Sequence, residues 1–296
     1  MADRPLTCYT GLESELSDLD IRATTILTDR SSFSNLDNLD HAWNVHQEMP
    51  SYFQAFGGGV PIGSLSVFSP ESDTGEISVY IPEPHRRQGV FKALLAEAVG
   101  AMEPYGYRRL LFPCDARSEA GQAAAKHWGL TLDHAEYLMA YGGHRPPANL
   151  LPKLRAAGED DIGPLVRLNT AVFGGDTADV EHNLRDSLAH PSVLCLTAWQ
   201  DGELLGTASA NLGGESLCIF GVAISPAHQG RGWGRAILAA LLEDLTARTP
   251  GKQITLEVDS TNDRAFRLYT TSGFNIVRQV DYYTAALPEV QARCAR

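Results

Sequence analysis

Residues 222–238 read VAISPAHQGRGWGRAIL. A run of small apolar residues closes on a basic turn with glycines at 230, 232 and 234, and an apolar helix opens directly behind it. Such a turn leaves the first N–H groups of the helix without intrahelical partners. With the positive end of the helix dipole, those groups form a receptor for phosphate. The glycines remove side chains where an anion must approach the backbone, and Arg231 and Arg235 add charge at the rim. The GxxxxGK[ST] loop of nucleotide hydrolases is absent, and GxGxG is not the GxGxxG of dinucleotide folds. Taken alone, the stretch also reads as a plain tight strand-to-helix connection.

The chain carries this turn twice. IPEPHRRQGVFKALL begins at Ile81, and ungapped alignment pairs Ile81 with Ile224, His85 with His228 and Gly89 with Gly232, an offset of 224 − 81 = 143. Further on, SEAGQAAAKHWGL (118–130) lies on NDRAFRLYTTSGF (262–274) at an offset of 262 − 118 = 144. Two separated matches at nearly one offset indicate duplication of a whole domain, not a short solenoid repeat. GGHRPPANL, residues 142–150, breaks the pattern as a linker does, which gives domains 1–143 and 149–296. Apolar strands are expected at YFQAF, GSLSVF, EISVYI and RLLFPC in the first half, with GGGVPIG (57–63) as a hairpin turn. In the second half they fall at SVLCLTAW, LLGTASANL, LCIFGVAI, QITLEV and VRQVDYYTAAL. Helical spacing follows each basic turn, through Phe91, Leu94, Leu95, Ala98 and Met102, and through Ile237, Leu238, Leu241, Leu242 and Leu245. The fold class is α/β (α+β): a mixed, largely antiparallel sheet flanked by helices, present twice.

Length and charge narrow the function. A chain of 296 residues suits two domains, and 44% hydrophobic residues suffice for two cores. The formal charge of −12 argues against a general nucleic-acid binder or an anionic-membrane binder. Five scattered cysteines without a CxxC pair read as reduced thiols of a cytoplasmic protein. No apolar run approaches a membrane span, and MADRPLTCYTG has no signal-like core. His41 and His46 lack a third partner, so no metal is expected.

VAISPAHQGRGWGRAIL resembles the acyl-CoA pyrophosphate loop of the GNAT (GCN5-related N-acetyltransferase) superfamily, Q/R-x-x-G-x-G/A, with Gln229, Gly232 and Gly234 in its fixed places. LEVDSTNDRAFRLYTTSGF (256–274) is similar to a second stretch of that superfamily. The resemblance implies a V-shaped splay of two strands, acetyl-CoA as co-substrate, and pantetheine pairing along Val222, Ala223 and Ile224. It puts the pyrophosphate on Gly230, Arg231, Gly232, Trp233, Gly234 and Arg235, and Asn262 against the cofactor arm. It implies Tyr269 as the acid that protonates the departing sulfur. The glutamate that one subgroup carries eleven residues before the loop glutamine is here Cys218. Another subgroup's pattern points instead to Glu257 as base, directly or through water, with Glu215 in reserve. Without that resemblance, Tyr269 reads as a packed aromatic on an amphipathic helix and Glu257 as a solvated strand residue.

The first copy keeps Arg86, Arg87, Gln88 and Gly89 in its loop but has Phe91 where the second has Gly234. At the 144 offset, Asn262, Glu257 and Tyr269 become Ser118, Pro113 and Ala125. It reads as a degenerate copy; the rival is a second site built on Glu76 or Tyr137. The leading function is transfer of an acetyl group to a primary amine of a small molecule or peptide N-terminus, with no nucleic acid, membrane or metal partner. Tandem members of the mycothiol synthase kind resemble this arrangement, with the amine of a small thiol as acceptor. The alternative is a non-catalytic acyl-CoA sensor or scaffold. A monomer and a homodimer both fit, since the fused pair already supplies two copies. The acceptor would be chosen by NTAVFGGDTADVEHNLRD, residues 169–186, with its four acidic side chains.

Overall fold

The computed structural model describes residues 19–24, 43–143 and 152–296. From the N-terminus these run β1 (Leu19–Thr24), β2 (Tyr52–Gly57), β3 (Val60–Phe68) and β4 (Thr74–Tyr80). Then come α1 (Val90–Met102), β5 (Arg109–Asp115), α2 (Glu119–His127) and β6 (Thr131–Tyr141). The second half opens with β7 (Leu154–Ala156), α3 (Ile162–Phe173) and α4 (Thr177–Ala189). It continues through β8 (Val193–Gln200), β9 (Glu203–Asn211), β10 (Leu217–Ile224) and α5 (Trp233–Arg248). It closes with β11 (Ile254–Asp259), α6 (Asp263–Thr271), β12 (Phe274–Ala286) and α7 (Leu287–Cys294).

The mixed α/β fold expected from the sequence is present in both halves. The β2–β3 hairpin turns at Gly58 and Gly59, whose φ angles of 61° and 89° suit glycine and a tight right-twisted hairpin. Strands β1, β6 and β7 and helix α7 were not anticipated, and β12 begins at Phe274, ahead of the expected Val277. The linker reading at 142–150 falls mostly outside the described residues, as does His41.

Two compact units result, and neither is a contiguous half. The first takes the chain as far as Cys114, then Ala120–Asp133 and Tyr282–Arg296; the second takes Asp115–Glu119 and His134–Asp281. This differs from the linear division at 143/149, because each half donates the end of its last strand to the other unit. In the first unit β1 to β4 are successive antiparallel neighbours, β5 lies parallel to β4, and the C-terminal end of β12 lies beside β5. There the Thr284 hydroxyl donates to the Leu110 carbonyl at 3.1 Å and the Leu287 amide to the Arg108 carbonyl at 2.9 Å. In the second unit the order is β7-β8-β9-β10-β11-β6, with β6 antiparallel to β11 over Glu136–Ala140.

The exchange repeats the internal symmetry of the sequence. The Ala116 amide donates to Gln279 at 3.0 Å, and 144 residues later the Ser260 amide donates to Ala135 at 2.8 Å. Both cores follow the helical spacing read above. Leu94, Leu95, Ala98 and Met102 are fully buried under the first sheet, although Phe91 is only half-buried. Ile237, Leu238, Leu241, Leu242 and Leu245 are buried under the second. Each such leucine stabilises its unit by roughly 1.5–3 kcal/mol. No helix among the described residues is long and apolar enough to cross a membrane.

Candidate active site

In the second unit β10 and β11 pair in parallel only over Leu217–Ile219 and Ile254–Leu256. Beyond that point β10 leaves its neighbour. Its pairing with β9 shifts register between Phe220 and Ala223, at Gly221 with φ 60°, a conformation that favours glycine. The divergence opens a cleft of about 1000 Å³ along one edge of β10, lined by Phe220, Gly221, Val222 and Ile224. Past Ile219, β10 has no register partner on β11, and strand backbone at a cleft is a ready partner for an extended amide-bearing chain.

The glycine turn closes the mouth of this cleft. Gly230 and Gly232 sit at φ 74° and 89°, and the Ala236 amide makes its bond back to Gly232, so the preceding amides of α5 have no intrahelical acceptor. Gln229 acts as a brace: its side-chain amide donates to the Ile224 carbonyl at 3.0 Å and accepts from Arg264 at 2.6 Å. Arg231 and Arg235 are exposed at the rim. Asn262 caps α6 by accepting from the Ala265 amide at 3.0 Å and also lines the cleft. Of the sequence-derived cofactor positions, all but Ala223 and Trp233 line it; Ala223 is fully buried and Trp233 packs on the core. Among the described residues no group of three His, Cys, Asp or Glu side chains is placed to hold a metal ion.

Both proposed catalytic side chains reach the same cleft. Ile254, Leu256 and Val258 are buried in the core, so strand alternation turns Glu257 and Asp259 to the opposite face. Glu257 is open to water from inside the cleft but enclosed by protein otherwise. Burial, then the charge of Glu136, pushes its carboxyl above the ordinary carboxylate value, and Arg278 partly opposes them. Tyr269 is buried on α6, its ring 6.0 Å from that of Phe274, and burial raises its phenol to about 12. Cys218, in the position where one subgroup carries glutamate, lies on β10 opposite Thr255. Burial and then the Glu257 charge raise its thiol to about 11, so it stays a neutral thiol. Glu215 is exposed in the turn before β10 and is not among the residues lining the cleft.

Several cleft residues were missed from the sequence. Glu136 belongs to the first half and arrives on β6, and no local signal marks it. Asp259 and Arg264 lie inside the quoted motif but have no fixed place in it. Val172 and Phe173 end α3 at the start of the region assigned to acceptor choice. Gly221 in the middle of an apolar strand was a readable sign of a bulge. Tyr137, weighed for a first-copy site, lies in the second unit with its ring 5.5 Å from Phe266.

The first unit preserves the frame of the turn without its chemistry. Arg87 and Gly89 have φ of 62° and 82°, matching Gly230 and Gly232, and Arg86 donates to the Ile81 carbonyl at 2.9 Å as Gln229 does to Ile224. Phe91, in the place of Gly234, stacks edge-on against Trp128 at 5.1 Å.

The sequence and the fold both have known relatives. The chain is 28% identical over 252 residues, 76% of this chain and 79% of the other, to a mycothiol acetyltransferase of Mycolicibacterium gilvum (strain PYR-GCK). Its fold is similar to that of a GCN5-related N-acetyltransferase from Sphaerobacter thermophilus, with a TM-score of 0.70 at 14% identity over 91% of this chain and 96% of that one. A tandem GNAT protein from the clavulanic acid biosynthesis pathway aligns with a TM-score of 0.64 at 15% identity over 80% of this chain and 82% of that one. The profile of the acetyltransferase (GNAT) family matches residues 16–129 and 166–274, one match in each half. The chain therefore belongs to the GNAT acetyltransferase family and is built as a tandem of two such folds.

Proposed function

We propose that the second half, residues 149–296, carries a single acetyl-CoA-dependent N-acetyltransferase site for a primary amine. The first half, 1–143, is its degenerate partner, with Pro113, Ala125 and Ser118 where chemistry would need Glu257, Tyr269 and Asn262. The observation that carries this reading is the splayed β10–β11 cleft, with the glycine turn at its mouth and both Glu257 and Tyr269 on its walls.

The residues fit acetyl-CoA by shape and by donor set. The Val222–Ile224 end of β10 suits the amides of an extended arm, and the first-turn amides of α5 with Arg231 and Arg235 suit a pyrophosphate. Acetyl-CoA supplies the activated acyl group; the rest is done by side chains of the chain. Glu257 takes a proton from the acceptor ammonium, directly or through one water, leaving the amine free to attack. Its raised affinity for protons brings it closer to the working pH than an ordinary surface carboxylate. Tyr269, protonated throughout the physiological range, donates a hydrogen bond to the departing sulfur, and its proton follows. A small-molecule amine is the favoured acceptor, by analogy with the mycothiol acetyltransferase named above.

The test is acetyl-CoA titration by calorimetry, with Gly232→Glu and Gly89→Glu variants alongside. One site per chain, lost only with Gly232→Glu, is the expected outcome. Two sites, each lost with one variant, would make the first half a second binder, and no binding would sink the reading.

A further inference from the structure

The strand exchange gives the site a residue that its own half does not encode. In the antiparallel pairing of β11 with β6, Glu257 stands opposite Leu138 and Asp259 opposite Glu136. Directly opposed residues share a face, as do residues two apart on a strand, so Glu257, Asp259 and Glu136 all project from the same side of the sheet. Glu136 is one step diagonal from Glu257, a separation of about 7–8 Å that lies within reach of long side chains. Both line the cleft. The counterpart of Glu136 at the 144 offset is Val280, which has no carboxyl group, so the duplication is asymmetric at this position.

We propose that Glu136 is a positioning residue for Glu257: a carboxylate supplied by the first half, on the same face of the sheet and in the same cleft, that helps the base of the second half's site take up its proton. The proposal rests on the reading of Glu257 as the base. Two carboxylates on one face cannot both hold full charge cheaply, so the charge of one favours the protonated form of the other. Other groups around Glu257 include the Cys218 thiol on β10, the Tyr269 phenol on α6, Arg278 on β12 and its own neighbour Asp259, while His134 stands 3.9 Å from Glu136 on β6. Cys218 is neutral, and Arg278 pulls in the opposite direction. Asp259 is engaged by the Thr261 amide and hydroxyl, both at 2.7 Å, so Glu136 is the neighbouring carboxylate whose removal lets Glu257 ionise more easily.

The direct test is a carbon-13 NMR titration of the side-chain carboxyls in glutamate-labelled full-length protein, with no acetyl-CoA or acceptor present. The Glu257 resonance is assigned by its loss in Glu257→Gln. In Glu136→Gln its titration midpoint is expected to move to lower pH, and in Glu136→Asp, which keeps the charge, it should stay close to the parent. Arg278→Gln should move it to higher pH. A midpoint unchanged in Glu136→Gln, in a protein that melts like the parent, would overturn the proposal. So would equal shifts in the Gln and Asp variants, which would mark a structural effect. The reading of Glu257 itself fails separately, if Glu257→Gln transfers acetyl groups as fast as the parent.

Discussion

Gly206 offers a demanding test of the geometry, because it lies beneath the cleft but outside it. It sits on β9 opposite Ile224, at the C-terminal end of β10, past the point where β10 turns away from β11. A Cβ built there would stand 2.5 Å from the Ala223 carbonyl oxygen, 2.8 Å from Ile224 Cδ1 and 3.0 Å from Ile237 Cδ1. The Ile side chains can rotate, but the carbonyl belongs to strand backbone. To restore ordinary contact, β9 and β10 must separate by about 1 Å. Overpacking of this kind costs about 1–3 kcal/mol, which lowers the melting temperature of a unit this size by roughly 2–12 °C. The shift falls on the Val222–Ile224 backbone that would hold the pantetheine, and about 1 Å of misplacement there costs roughly 10²-fold in acetyl transfer. Gly206→Ala is therefore expected to lose both stability and acetyl-CoA affinity, read by thermal melting and calorimetry. Gly100→Ala is the control: its Cβ meets nothing within 4 Å in the last turn of α1, and it should stabilise by about 0.4–1 kcal/mol. If Gly206→Ala melts and binds like the parent, the close approach of β9 to the cofactor strand is not as described.

Other outcomes follow from the same structure. Tyr269→Phe should keep acetyl-CoA affinity and lose about 10²-fold in kcat, and an undiminished kcat would remove the proposed acid. Cys218, with its thiol near 11, should be alkylated by iodoacetamide at neutral pH about 300-fold more slowly than a cysteine at about 8.5, and mass mapping would show it. Asp161 is buried, accepts from Arg155 at 2.7 Å through both oxygens and from the Gly158 amide at 2.9 Å. The Arg155 hydrogen bonds are the main cause that holds its pKa below the ordinary value. Its stabilisation is thus complete above the unfolded value near 3.9 and is lost as pH falls through the lower folded value. Asp161→Asn should cost about 2 kcal/mol at pH 7 and progressively less at pH values below the parent's folded midpoint, checked by melts across pH.

Much of this site was legible because it is local. The glycine turn, the helix behind it and the Glu257–Tyr269 stretch each rest on spacing within one strand–turn–helix unit. Chain geometry fixes those relations wherever the unit is placed. What the sequence did not disclose depends on pairing across the chain. TLDHAEYLMAY carries polar and apolar residues on both faces and sits next to a helix, so alternation did not separate it from a loop. Even recognised as a strand, it would have been placed beside β5 of its own half, since sequential strands usually neighbour one another. Glu136 was therefore invisible as a site residue. The same holds for Tyr137, whose place against Phe266 follows only from the register of β6 on β11.

The exchange of β6 and β12 also decides how the chain must come together in time. The first sheet receives the strand beside β5 only when residues 282–286 exist, as the Arg109–Thr284 hydrogen bond across 175 positions shows. At about 5–20 residues per second, a ribosome needs roughly 10–35 s to travel from the end of β5 to the end of β12. Through that interval β5 is an open edge, with unpaired amides able to recruit another strand. Closure then requires contacts of very high sequence separation, the kind that folds slowly. Loss of the last fifteen residues would thus unmake the first half of the protein while leaving its own sequence untouched.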